Sequence, residues 1–409
     1  MKTKPTFMLV SLLLVISLLL SACQQAAAPA PVVEPTQPPA PAVQPTEKPA
    51  VVEPTIAPTE AAAPAPAATE PPKAEGPCLT IGALYVGSVK DAGYNQAMHE
   101  SVMQVKENIP CVNIIEAENI PEGPDAEKTM QTMIDQGAKL IFPTSFGHME
   151  PAYALAEKNP DVVFEHVGGY LMGQNFANLY GKPPEAFYIL GAAAGMMTKT
   201  NKLGFIAAFP IGWTVTFVNA FELGAQSVNP KAETIVSWTF SWADSAKEAA
   251  ATDALINQGV DVIAMHVDAP GTVIQTAEAR GVYSIGINSI AAQQFAPQYW
   301  LSGFGFTLGG KMTWLTQNVI DGKWEPIFLR CGVSDGCMEF APFGPNVPQD
   351  TQDKVKALVD QLNAGGLAIF NGPLTDQDGK VRVAEGSALT DEEMGNLDWF
   401  VLGVIGSPK

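Results

Sequence analysis

The chain has 409 residues, with 23 Lys and Arg against 42 Asp and Glu, a formal net charge of −19 and a pI near 4.6. So acidic a surface repels phosphate backbones over a Debye length, which argues against nucleic acid as a partner. With 47% hydrophobic residues, 36 Gly and only 16% charged residues, the composition suits a well-buried α/β protein and excludes an acidic disordered chain.

Residues 1–22 read as an export signal. Lys2 and Lys4 precede an apolar run from Phe7 to Leu20, and Leu20-Ser-Ala-Cys23 follows at once as a lipobox. The run is shorter than the roughly 20 residues that span a bilayer, so a retained transmembrane helix is the weaker reading. Acylation of Cys23 would anchor the protein by lipid on the extracytoplasmic face of the cell membrane. From Gln24 to Pro77, recurrent Pro-Thr, Pro-Ala and Glu-Pro steps fix φ and delete backbone donors, so residues 23–77 are expected to form a lipidated Cys and a Pro/Ala-rich disordered tether.

Beyond Pro77, short apolar runs alternate with amphipathic stretches, the pattern of a parallel sheet covered by helices. Strands are expected at Leu79–Tyr85, Val112–Ile115, Leu140–Phe142 and Val162–Glu165, with helices at Asn95–Asn108, Asp125–Gln136 and Pro151–Lys158. Cys78 and Cys111 open the first two strands. If those strands are parallel neighbours the two sulfurs lie within bridging distance.

The helical stretch Pro184–Thr198 leads to a second round, with strands at Leu203–Ala207, Thr234–Trp238, Val262–Met265 and Tyr283–Ile287 and helices at Val215–Val228, Ser245–Gln258 and Gly271–Arg280. The expected fold is therefore two tandem α/β lobes, each a doubly wound, mostly parallel sheet, facing each other across a cleft. Residues 78–200 would form the first lobe, with a later segment recrossing to it around 288–320. Residues 201–287 would form the second, completed by parts of 321–409, including helices at Thr307–Ile320 and Gln349–Asn363 and a last strand at Phe400–Ile405. Cys331 and Cys337 enclose a short Gly-containing turn and form the second expected disulfide. A metal site is the competing reading of the cysteines, without CxxC pairs or clustered His to support it.

In open α/β sheets a ligand sits beyond the C-terminal ends of the strands. The loops there carry Asp91, Tyr94, Asn95, Ser145, Phe146 and Tyr170 in the first lobe, and Trp213, Trp242, Asp268 and Asn288 in the second. Aromatics beside Asn, Asp and Ser, with hardly any Lys or Arg, suit a flat uncharged heterocycle stacked between rings and read along its edge. The candidate binding residues are Tyr94, Phe146, Trp213 and Trp242 for stacking, with Asn95, Ser145, Asp268 and Asn288 for the edge.

Three other motifs lead elsewhere. Gly305-Phe-Thr-Leu-Gly-Gly310-Lys311 fits GxxxxGK, but Met312 stands where a P-loop needs a hydroxyl. Gly332-Val-Ser-Asp-Gly336 matches GxSxG in letters, but it is the short turn enclosed by Cys331 and Cys337 and lacks the strand-to-helix context of a nucleophile elbow. His148, His166 and His266 fall near strand ends, where zinc is the alternative to ordinary hydrogen-bonding roles, and no metal or other cofactor is expected.

The stretches Asp91-Ala-Gly-Tyr-Asn-Gln96, Ile120-Pro-Glu-Gly123, Phe142-Pro-Thr-Ser-Phe-Gly147, Pro160-Asp-Val-Val-Phe-Glu-His166 and Gly204-Phe-Ile-Ala-Ala-Phe-Pro210 resemble the basic membrane protein family of ABC-transporter substrate-binding lipoproteins. Ser241-Trp242, Ala254-Leu-Ile-Asn-Gln-Gly259, Gly281-Val-Tyr-Ser-Ile-Gly286 and the tail from Asn371 to Gly386 extend the likeness, which runs from about residue 79 to 406. The resemblance implies a type I periplasmic-binding fold, a purine base or nucleoside as ligand and delivery to an ABC permease; the duplicated lobes with contacts on both predict hinge closure, and a cleft offering only Asp91 and Asp268, on opposite lobes, argues against an enzyme. Asn288 departs from the Asp of many members, and Gly212-Trp213 replaces a Pro-acidic pair; both touch the second-lobe wall. A monomer is expected. The alternatives are an extracellular sensor, a secreted nucleoside-acting hydrolase, or a receptor for riboflavin or a sugar.

Overall fold

The computed structural model describes residues 76–409, so the export signal, Cys23 and nearly all of the tether lie outside the described residues. Two sheets organise the chain. The first runs β1 (Leu79–Leu84), β2 (Val112–Ala117), β3 (Leu140–Pro143), β4 (Val163–Val167) and β5 (Phe176–Gly181), in spatial order 2-1-3-4-5. The second repeats that order with β6 (Lys202–Ala207), β7 (Glu233–Trp238), β8 (Val262–His266), β9 (Tyr283–Gly286) and β10 (Trp300–Phe306). Within these two sets all pairings are parallel.

Helices cover both sheets, which is why strands such as β1, β5 and β10 are buried along nearly their whole length and read as apolar runs without alternation. The first lobe carries α1 (Tyr94–Asn108), α2 (Pro124–Asp135) and α3 (Met149–Lys158). The β1–β2 register pairs Leu79 with Val112, so Cys78 and Cys111 are adjacent and bonded, with Cα atoms 5.4 Å apart.

After β5 the chain crosses over. α4 (Pro183–Met197) packs on α5 (Gly212–Val228) and touches β10, so it belongs with the second sheet. The two helices meet at glycines: a Cβ on Gly191 would stand 2.0 Å from Phe221 O, and one on Gly224 would stand 1.9 Å from Tyr188 O. Any side chain there would force the helices apart. The second lobe continues with α6 (Ser245–Asn257) and α7 (Gly271–Ala279), then α8 (Gly309–Ile320) returns to pack on α1. Each lobe thus receives the helix that follows the other's fifth strand. Gly309, in the apparent P-loop motif, lies where a Cβ would meet the Gln104 side chain of α1 at 2.0 Å, so it serves helix packing.

The last third is where expectation and structure part. The first lobe ends at Gly181 rather than near residue 200, because α4 finds its apolar partner on α5. Residues 300–306, expected to recross to the first lobe, form β10 of the second sheet, and only α8 goes back. The first sheet gains β11 (Phe328–Cys331) beside β5, and the second gains β12 (Met338–Phe340), antiparallel to β10. The bonded pair Cys331–Cys337 staples this crossing from one sheet to the other. Next come α9 (Gln349–Asn363), which packs on α4, the small β13 (Leu374–Thr375) and β14 (Val381–Val383) pair, and α10 (Asp391–Gly395). The last strand, β15 (Val404–Ile405), is shorter than expected and pairs with β7.

Candidate ligand-binding site

The C-terminal ends of both sheets meet at one narrow cavity, lined by Tyr94, Ser145, Phe146, Val167, Gly168 and Tyr180 from the first lobe and by Ile211, Trp213, Trp242, His266, Asp268 and Asn288 from the second. Seven of the eight residues singled out in the sequence are therefore brought together. Asn95 is the exception. Its carboxamide is turned inward, accepting from Gly87 N at 3.1 Å and donating to Asp91 Oδ2 at 2.8 Å, so it braces the loop instead of lining the cavity.

Asp91 explains that loop. Its carboxylate accepts from the backbone N–H groups of Gly93, Asn95 and Gln96 at 2.8, 3.0 and 3.1 Å, which caps the start of α1 with a negative charge. With α1 so fixed, Tyr94 donates its hydroxyl to Thr144 O at 2.5 Å and sets its ring edge-on to Phe306, centroids 6.1 Å apart. Ser145 donates to Glu122 Oε1 at 2.6 Å, and the same oxygen accepts from Gly147 N at 2.9 Å, which holds the short turn that presents Phe146. Phe146 in turn leans on the exposed Tyr170, centroids 6.3 Å apart.

On the second lobe, Trp242 packs edge-on against Phe209 and His266, at 5.2 and 5.5 Å. Asn288 sits in the left-handed region at φ 71°, a conformation Asn tolerates, and donates its amide to Val267 O at 3.0 Å. Asp268 donates its backbone N–H to Trp242 O at 2.8 Å, and the residue lines the cavity. Burial pushes its carboxyl well above the usual range, with the charges of Asp91 and Glu122 adding to the rise and the Asn95 side chain opposing it. Burial likewise lowers His266 to about 3 and His166 to about 4, so both rings are neutral.

Trp213 lies under a cation. The Arg330 guanidinium stands 4.3 Å from its ring centroid and 5.3 Å from that of Tyr180, with Nε and Nη1 buried and without hydrogen-bond partners among the described residues. Arg330 stiffens the aromatic wall from behind and does not line the cavity. Sequence reasoning missed it, because β11 comes from a distant crossing. It also missed Tyr180, which goes unseen with β5, and His266, whose position at the end of β8 was noted but not assigned to the wall. Among the described residues, no group of three His, Cys, Asp or Glu side chains is placed to hold a metal ion.

Two doubly wound lobes joined by three crossings, with an aromatic cavity across their strand ends, define a substrate-binding protein of the type I periplasmic fold. The chain belongs to the Bmp family, described as ABC transporter substrate-binding protein PnrA-like, which matches residues 78–367. It is 35% identical over 330 residues to a purine-binding protein from Brucella abortus, covering 80% of this chain and 93% of that one. It is 32% identical over 306 residues to a putative ABC transporter glucose-binding protein from Haloferax volcanii, covering 73% and 76%. In fold it is similar to an ABC transporter solute-binding protein from Aeropyrum pernix, with a TM-score of 0.62 at 16% identity over 79% of this chain and 100% of that one. The chain is thus an extracytoplasmic substrate-binding protein that delivers a small molecule to an ABC permease.

Proposed function

We propose that this protein captures a purine base or nucleoside between its lobes, closes about a hinge, and presents the ligand to its permease while held at the membrane by acyl chains on Cys23. The observation that carries the ligand class is the lining itself: aromatic rings from both lobes, a few polar groups, and no Lys or Arg. Tyr94, Phe146, Trp213 and Trp242 supply stacking faces, each worth about 1–3 kcal/mol per base in comparable sites. Ser145, Asp268 and Asn288 meet the edge, and Asn95 acts through Asp91 by fixing the loop. A hexose, the ligand named for the Haloferax relative, needs hydroxyl partners around its whole ring, and this wall has few.

Mass spectrometry of ligand carried through purification under native conditions tests the class. A purine supports it; a hexose, or a metal in its place, refutes it. The anchor has its own test: Cys23→Ser should move the protein from the membrane to the soluble extracytoplasmic fraction, and retention of that variant at the membrane would contradict lipid attachment.

A further inference from the structure

Threonines within this chain's helices commonly donate their hydroxyl to the carbonyl one turn back: Thr252 to Glu248 O at 2.7 Å, Thr276 to Thr272 O at 2.8 Å and Thr313 to Gly309 O at 2.7 Å. Thr214, in the first turn of α5, makes no such bond. Its hydroxyl has one partner among the described residues, His266 Nδ1 at 2.9 Å, and the residue is wholly enclosed. A buried O–H without an acceptor is costly, so the Thr214 hydrogen belongs on the line to Nδ1. A protonated ring would carry a second donor at Nδ1 and leave the hydroxyl hydrogen with nowhere to go. The ring is neutral, held so by burial, and a neutral imidazole has one N–H. That proton therefore sits on Nε2. Nε2 has no protein partner among the described residues, and His266 lines the cavity.

Two residues further on, Asp268, which carries a carboxyl, lines the same wall. Asn288 commits its amide nitrogen to Val267 O, which leaves its oxygen for the cavity. A donor therefore stands beside acceptors.

We infer that His266 Nε2–H is the donor through which the site grips its ligand, that Thr214 sets this tautomer as a positioning residue, and that His266 and Asp268 together select ligands presenting an acceptor atom beside an N–H on one edge. A lactam or amidine edge of a heterocycle has that arrangement. The inference deepens the purine reading and rests on it for the ligand class.

The test uses the exported protein with ¹⁵N-labelled histidine, as wild type, Thr214→Val and Thr214→Ser, titrated with hypoxanthine. The His266 ring shifts should report the Nε2–H form in the wild type. Thr214→Val should release it to a mixture of tautomers and weaken hypoxanthine about tenfold, the loss of one well-made hydrogen bond. Thr214→Ser should restore both. Of 1-methylhypoxanthine and 9-methylhypoxanthine, each lacking the N–H of one edge, at least one should bind about tenfold more weakly than the parent. An Nδ1–H ring in the wild type, unchanged affinity in Thr214→Val, or parental affinity for both methylated probes would overturn the inference. Failure of every purine to bind a protein whose His266 is in the Nε2–H form overturns the purine reading and leaves the tautomer assignment standing.

Discussion

Gly93→Ala should separate the proposed closure of the lobes from folding. Gly93 belongs to the first lobe, yet a Cβ there would lie 1.9 Å from Asp268 O and 2.5 Å from Pro270 Cδ, both on the second. The neighbouring Tyr94 N–H donates to the same Asp268 O at 2.9 Å, so this is a seam where the backbones of the two lobes touch. The three nearest atoms to such a methyl all belong to the second lobe, so it meets its obstacle only when the lobes are together. Overpacking of this kind costs about 1–3 kcal/mol, and the whole of it falls on the closed state. Ligand affinity should drop about 5- to 150-fold by that coupling, while the thermal unfolding midpoint of the ligand-free protein stays within a degree or two of wild type. Calorimetry gives the first quantity and scanning calorimetry without ligand the second. Small-angle scattering should show the wild type contracting with saturating ligand and the variant contracting less. Equal affinities in the two proteins would refute the argument, and so would a loss of ligand-free stability as large as the loss of affinity.

Asp268→Ala should weaken purine binding by about 1–3 kcal/mol by leaving a ligand donor unpaired, with little response to added salt because the ligand carries no full charge; a strong salt dependence would contradict a neutral ligand. Trp242→Ala and Phe146→Ala should each weaken binding by about 1–3 kcal/mol, and unchanged affinity in both would move the stacking walls elsewhere. Reduction should destabilise the protein more through Cys78–Cys111 than through Cys331–Cys337, since their sequence separations are 33 and 6 and chain entropy gives about 4 against 2 kcal/mol; single-pair Ser variants in denaturant titrations check the order. Glu165 accepts from Trp324 Nε1 at 2.5 Å, has its other oxygen buried without a partner among the described residues, and is raised by burial to about 8. The folded state therefore holds a proton that the unfolded state releases above its ordinary pKa, and stability falls as pH rises from about 4.5 to 8. Glu165→Gln should flatten that slope and gain up to a few kcal/mol over wild type at pH 8, and an unaltered slope would show that the carboxyl is ionised in the fold.

The repeated α/β pattern, the cysteine pairing and most of the cavity wall were legible because each rests on local signals. Strand ends announce their loops, and in a doubly wound sheet those loops converge whatever the helices between them do. The missed elements share a different origin. β5, Phe-Ala-Asn-Leu-Tyr-Gly, and β10, Trp-Leu-Ser-Gly-Phe-Gly-Phe, are buried on both faces, so neither alternates, and their Asn, Ser and Gly residues interrupt the apolar run that marks a buried strand. Losing β5 hid Tyr180. β11 and β12 are four and three residues long and pair with strands far back in the chain, so nothing local fixes their partners. Arg330 shows the same limit: its place behind Trp213 depends on a crossing of the lobes. Asn95 shows a further limit: a polar residue in a strand-end loop reads as a ligand contact, and only the fold shows its carboxamide engaged by Gly87 N–H and the Asp91 carboxylate.

The most direct measurement is calorimetry of protein stripped of bound ligand, titrated in turn with adenine, hypoxanthine, guanine, adenosine, guanosine, inosine, riboflavin and glucose. One site per chain is expected, filled by at least one purine base or nucleoside and indifferent to glucose. Tight binding of glucose with failure of every purine would contradict it.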